Sequence, residues 1–336
     1  MKKVWKAFGG VILALLVIVP SIASAHVGYV LDQEQFAENQ GSDTAFLFGG
    51  LREAPQSVVV VAVVSIILIG LILFFRSRPG IKIFLARCRE KLSTYGDILE
   101  WMARLSLGIA LIGAGTAEAF ISPVLTGNPN VGLLEILLGF MMLLGFLLTP
   151  VYLATIVLFF VGIAHSGYLI GNLDFLALTI AAFSLSTARP GLDDILGIGA
   201  WNMGGRIKHL VPLVLRIGLG TAFIFLAVYE KFLNPHGSEA VVQIYNLTQV
   251  IPVPASLWVL GAGIVELVLG VLLIIGFEIR LVSIISFVVI SLSFFYFKES
   301  VYSHVTLFGA LSMLVVTGAG KWSVDNYFSS NKENLS

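Results

Sequence analysis

The chain has 336 residues, of which 57% are hydrophobic and only 12% charged. A soluble fold of that size cannot hide so much apolar surface, so lipid must cover part of it. Acidic and basic residues balance at 20 each, which points to no polyanionic partner and no nucleic acid. The single cysteine, Cys88, excludes an internal disulfide framework and a two-thiol redox relay.

In chain order, residues 1–25 read as a secretory signal peptide. Lys2, Lys3 and Lys6 form its charged region, Val11 to Pro20 its apolar core, and Ala23-Ser24-Ala25 a small-residue cleavage site. The alternative is an uncleaved anchor, but the apolar core is far short of the ~20 residues that a span needs. Residues 26–56 are polar and mildly acidic and read as an external segment. Residues 57–76 are apolar throughout and predict an extra transmembrane helix, followed by a basic cytoplasmic loop over 77–97. Eight more apolar segments follow, near 98–122, 131–149, 151–169, 173–188, 209–233, 256–276, 279–297 and 302–319.

Lys and Arg fall mainly in alternate loops: Arg189, Arg206, Lys208, Arg280 and Lys321 on one side, Lys231 and Lys298 on the other. The positive-inside rule then predicts a multi-pass protein of the cell (plasma) membrane. Its mature N-terminus is outside, and its C-terminal tail, 328–336, is cytoplasmic.

Residues 98–195 and 210–327 share one pattern. Arg104 and Gly108 precede Glu118 as Arg216 and Gly220 precede Glu230. Glu135, Gly139 and Gly145 match Glu266, Gly270 and Gly276 in spacing, and each copy closes on a cation four residues before Asp193 or Asp325. The expected fold class is therefore all-α: two tandem four-helix transmembrane bundles in one orientation, plus the extra N-terminal span. Helical spacing places Arg104, Gly108 and Glu118 on one inward face, and Arg216, Gly220 and Glu230 on another.

The second copy carries Arg216-x-Gly-x-Gly220, Tyr229-Glu230-Lys231-Phe232, Glu266-x-x-x-Gly270, Gly276-x-x-x-Arg280 and Lys321-Trp-Ser-Val-Asp325. With these motifs the chain resembles the DoxX family of membrane proteins, which includes the small-subunit domain of thiosulfate:quinone oxidoreductase. The first copy departs from the pattern, with Ala117-Glu118-Ala119-Phe120 and with Thr149 where the second has Arg280. The resemblance implies a four-helix membrane unit tied to quinone-linked or sulfur redox metabolism. A partner subunit or bound cofactor is expected because the sequence shows no redox-active residue pair.

Four intramembrane acids, Glu118, Glu135, Glu230 and Glu266, are the candidate catalytic residues. An ionisable group within a span is expensive and is a functional candidate by default. Their role is either proton handling and capture of a quinone head group, or interhelical hydrogen bonding that sets the packing. Arg104, Arg216 and Tyr296 are candidate cofactor-binding residues for quinone. The two arginines read equally as side chains that snorkel to the interface. His26, His165 and His304 are candidate ligands for copper or haem. The rival functions are a small-molecule or metal-ion permease and a non-catalytic assembly scaffold.

Overall fold

In a computed structural model, the described residues are 27–31, 33–39, 41–43, 94–185, 191–198 and 204–327, with isolated positions between 59 and 92. The signal peptide, His26, Cys88, nearly all of the 57–76 segment and the C-terminal tail lie outside them. The described elements are helical apart from one short hairpin. Helices α1 (Val27–Val30) and α2 (Gln33–Glu38) are followed by α3 (Leu99–Thr116), strands β1 (Ala119–Phe120) and β2 (Ser122–Thr126), and helices α4 (Pro129–Leu144), α5 (Leu148–His165), α6 (Leu173–Leu185) and α7 (Leu192–Ile195). Next come α8 (Val211–Leu226), a π-helical segment Ala227–Leu233, α9 (Pro235–Ile244), α10 (Leu247–Val250), α11 (Ala255–Ile275), α12 (Ile279–Phe297) and α13 (Val301–Thr317).

Each of the eight apolar segments predicted between 98 and 319 overlaps one of these longer helices. Six helical stretches among the described residues are long and apolar enough to cross a membrane; Pro129–Leu144 and Val301–Thr317 are shorter apolar helices. The protein is an all-α polytopic membrane protein. A 3-10 turn, Gly167–Asn172, runs into α6 and brings that helical stretch, Gly167–Leu185, to 19 residues.

The first segment departs from the expected continuous helix over 98–122. Helix α3 stops at Thr116, Glu118 and Ile121 adopt left-handed backbone (φ 53° and 59°), and β1 pairs antiparallel with β2. Pro123 cannot donate a backbone hydrogen bond, and the preceding residue is pushed out of the helical region. The expectation that Glu118 shares the inward face of Arg104 is thereby corrected: Glu118 is exposed on the turn. Between the segments near 209–233 and 256–276, the chain folds into the short helices α9 and α10.

The chain divides into two compact units: 1–90, 226–268 and 288–299 form one, and 91–225, 269–287 and 300–336 the other. In the larger unit, glycines let helix backbones touch. A Cβ on Gly108 would lie 3.0 Å from the Gly139 carbonyl oxygen, and one on Gly220 would lie 2.6 Å from that of Gly270. Helices α3 and α4 therefore meet at Gly108 and Gly139, as α8 and α11 meet at Gly220 and Gly270. Small residues let the backbones approach closely, which strengthens the van der Waals packing that helps drive helix association in lipid.

The same unit contains two matching locks. Helix α4 ends on Gly145 (φ 70°), Phe146 N–H returns to the Met141 carbonyl at 2.9 Å, and Asp193 accepts from Leu147 N–H at 3.0 Å. Helix α11 ends before Gly276 (φ 68°), Phe277 N–H returns to Leu272 at 3.2 Å, and Asp325 accepts from Glu278 N–H at 2.7 Å. A left-handed glycine closing a helix with a six-to-one bond is the Schellman arrangement. A Gly270→Val substitution should cost about 1–3 kcal/mol or more through overpacking. A thermal melt in detergent indistinguishable from wild type would contradict this close contact.

The smaller unit has its own apolar core. Val27 and Leu31 pack with Val241, Val242, Leu247, Trp258 and Phe297. The segment just after the expected cleavage site is thus built into the folded protein.

Candidate functional site: a buried ammonium among carboxyl groups

The smaller unit places Glu230, Lys231 and Glu266 together. Glu230 and Lys231 lie on the π-helical segment, where Asn234 N–H bonds to the Tyr229 carbonyl five residues back. This wider turn interrupts the α-helical register that the apolar pattern alone predicts, and such bulges are frequent at functional sites. Lys231 Nζ sits 2.9 Å from Glu230 Oε2 and 3.3 Å from Glu266 Oε1. The Lys231 and Glu230 side chains are only 2% and 3% exposed.

Further donors hold the cluster. The Val27 backbone N–H donates to Glu230 Oε2 at 3.2 Å, and the Ser238 hydroxyl donates to the Glu230 carbonyl at 3.1 Å. Gly263 lies against Lys231: a Cβ there would come within 2.9 Å of the Lys231 Cβ. A fourth charged residue belongs to the same surroundings. Glu299, between α12 and α13, is buried and accepts from the Ser293 hydroxyl at 2.9 Å. Burial pushes its carboxyl up to about 7; the Ser293 bond and the Lys231 charge pull it down, and Glu230 adds to the rise.

Chemically, the Lys231 ammonium stands between two buried carboxyl groups, Glu230 and Glu266. Burial without compensation is costly for each charge, and the pairing of Lys231 with Glu230 and Glu266 offsets that cost. The arrangement can take up and release protons, and it can offer both a donor and acceptors to a polar head group.

The other sequence candidates fall elsewhere. Glu135 is fully buried in the larger unit; its Oε1 accepts from Ile121 N–H at 2.9 Å, and its Oε2 has no hydrogen-bond partner among the described residues. Arg104 and Arg216 do not snorkel to an interface, as one reading expected. They are 3% and 2% exposed, and they cap carbonyls at helix ends. Arg104 donates to Met142 and Leu143; Arg216 donates to Leu273, Ile274, Trp322 and Ala319. Their donors are turned to backbone oxygens, which argues against a cofactor role. Tyr296 is 45% exposed, its ring 6.3 Å from that of Tyr245.

His165 is exposed at the end of α5, and buried His304 shares a 2.9 Å hydrogen bond with the Ser303 hydroxyl. Among the described residues no group of three or more His, Cys, Asp or Glu is placed to hold a metal ion.

Two buried charged residues of the smaller unit escaped the sequence reading. Lys231 reads as an external-loop cation at the end of a span, although its place beside Glu230 inside an apolar run was a signal. Glu299 sits in Lys298-Glu299-Ser300, which reads as a solvated turn, and nothing in the pattern marks it as buried.

No curated relative and no solved structure matches the chain. The family model for DoxX matches residues 211–299, a stretch that contains Arg216, Glu230, Lys231, Glu266 and Glu299. The resemblance read from the sequence motifs of the second copy is thus met over that stretch, and the helical segment 211–299 of this membrane protein is a DoxX domain.

Proposed function

We propose that this protein is a membrane subunit of a quinone-linked oxidoreductase, acting on sulfur compounds, whose cluster at Glu230, Lys231 and Glu266 moves the protons of the quinone couple. The observation that carries this reading is the ammonium of Lys231 held between two carboxyl groups from separate elements. A quinone gains protons as it is reduced and a quinol loses them as it is oxidised, so a buried group that exchanges protons suits either direction. The electron-carrying centre belongs to a partner subunit, since one cysteine cannot form a dithiol pair.

Residues 98–195 and 210–327 are, on this reading, two copies of one unit. The matched glycine contacts, helix-end locks and arginine caps support that. The first copy has Ala119 where the second has Lys231, so the charged site belongs to the second copy. The cluster faces the outer side of the plasma membrane, as the distribution of loop charges suggests.

Glu266→Gln tests the function. It removes the charge and keeps the shape, so quinone reduction in membranes should fall about 10²-fold or more. The melting temperature should change little by comparison. Wild-type turnover in this variant would remove the cluster from the mechanism.

A further inference from the structure

We propose that the backbone amide of Val27 is a positioning group for Glu230, delivered by the N-terminal segment 27–43, which works as a strap across the π-helical turn. This rests on the proton-handling reading above and extends it to a stretch outside the apolar helices.

The argument begins at one atom. Glu230 Oε2 accepts from the Val27 N–H at 3.2 Å and lies 2.9 Å from Lys231 Nζ. The amide belongs to a fixed backbone, whereas the ammonium ends a flexible four-carbon stem. The last torsion of a glutamate is broad rather than staggered, so one mobile partner leaves the carboxyl group free to swing. A second donor of fixed position on the same oxygen removes that freedom. The amide therefore holds the oxygen where the ammonium meets it.

The local structure explains why this amide is available. Val27 is the first residue of α1, and the first N–H groups of a helix have no acceptor within it. Its carbonyl is engaged in the helix, accepting from Leu31 N–H at 3.0 Å.

Packing then fixes the amide in space. The Val27 and Leu31 side chains are buried against Val241, Val242, Trp258 and Phe297. A Cβ on Gly237 would lie 2.8 Å from Val27 Cγ1, so the backbone of α9 closes directly on that side chain. The other end of the segment is tied as well. Asp43 N–H donates to the Leu233 carbonyl at 3.0 Å, and Asp43 Oδ2 lies 3.5 Å from His236 Nε2. Both ends of 27–43 thus fasten to the stretch Ala227–Leu233 that carries Glu230 and Lys231.

The test uses the full-length protein in lipid nanodiscs and two substitutions at one position. Val27→Pro deletes the N–H, and proline is tolerated at the first position of a helix. Val27→Ala keeps the N–H. Both lose the valine packing, so the difference between them reads the amide. Relative to Val27→Ala, Val27→Pro should lower quinone turnover about 10-fold or more, as expected for a misplaced reacting group. It should also displace the pH profile of turnover by about one unit, because a hydrogen bond to a carboxylate bears on its proton affinity. Partial loss of fold would scale the profile down without moving it. The charged groups facing Glu230 in that profile are Lys231 beside it, Glu266 of α11 through the same ammonium, and Glu299 between α12 and α13.

A second measurement reads the contact without turnover. In protein carrying isotope-labelled valine, the Val27 amide resonance is identified by its absence from Val27→Ala. It should shift in Glu230→Gln, where the acceptor loses its charge and keeps its shape.

A pH profile of Val27→Pro that coincides with that of Val27→Ala would overturn the proposal. So would a Val27 resonance that Glu230→Gln leaves in place, and that spectrum decides the matter if Val27→Pro does not accumulate. If the resonance shifts as stated while wild type shows no quinone turnover, the positioning of Glu230 by Val27 stands and the oxidoreductase reading falls.

Discussion

Replacing Lys231 with Met should destabilise the protein by about 3–5 kcal/mol, because removing one partner of a buried ion pair strands the other charge. Here two carboxyl groups lose the same ammonium, at 2.9 and 3.3 Å, in a site where the lysine is 2% exposed. A typical domain has only about 5–15 kcal/mol of total stability, so the loss would show as a large drop in melting temperature or a failure to accumulate. The double variant Lys231→Met with Glu230→Gln removes one stranded charge and should recover part of the loss. Measured by melting in detergent at fixed pH, a single variant within about 0.5 kcal/mol of wild type would mean that the ammonium is not compensating these acids.

Arg216→Ala should be nearly as damaging, for a different reason. The guanidinium binds the carbonyls of Leu273, Ile274, Ala319 and Trp322, which ties the end of α11 to the stretch after α13. Hydrogen bonds to charged groups are worth about 1.5–3 kcal/mol each, and buried carbonyls left without donors add their desolvation cost. A net loss of about 4 kcal/mol is a reasonable scale for several such bonds acting together. Arg216→Lys should not rescue it, since an ammonium cannot reproduce the planar fork. Arg104 binds the Met142 and Leu143 carbonyls in the corresponding place, and Arg104→Ala should cost less. Equal losses at the two positions, or full rescue by lysine, would contradict this account of the locks.

Such a protein reads well from sequence wherever the physics is one-dimensional. A run of apolar residues long enough to span must be helical in lipid, because no other local structure satisfies its backbone there. That sufficed for the eight segments between 98 and 319. Gly145 and Gly276, ten residues after Glu135 and Glu266, were visible as a repeated spacing. Both take the left-handed conformation that closes a helix, at φ 70° and 68°.

The reading was weaker where a residue's role depended on what lies across from it. Glu118 and Glu230 occupy the same place in the repeated pattern, yet Glu118 is exposed on a turn and Glu230 is buried against Lys231. The difference comes from a helix that ends at Thr116 in one case and widens into a π-turn in the other. Hydrophobic spacing reports a face, not a change of pitch within it. Arg104 and Arg216 show the same limit. Charge at a span end fits an interface equally well, and only neighbouring helix ends with unpaired carbonyls turn such a residue into a cap.

The sequence by itself determined that the chain crosses a membrane as helices, where those helices lie, and which positions recur at matching intervals. Those properties follow from composition and spacing along one strand of chain. Only the tertiary structure decided that Lys231 is buried between Glu230 and Glu266, that Glu299 is buried in a loop against Ser293, and that the arginines close helix ends. Pairing across elements depends on helix pitch, backbone approach and burial, and a linear pattern carries none of these.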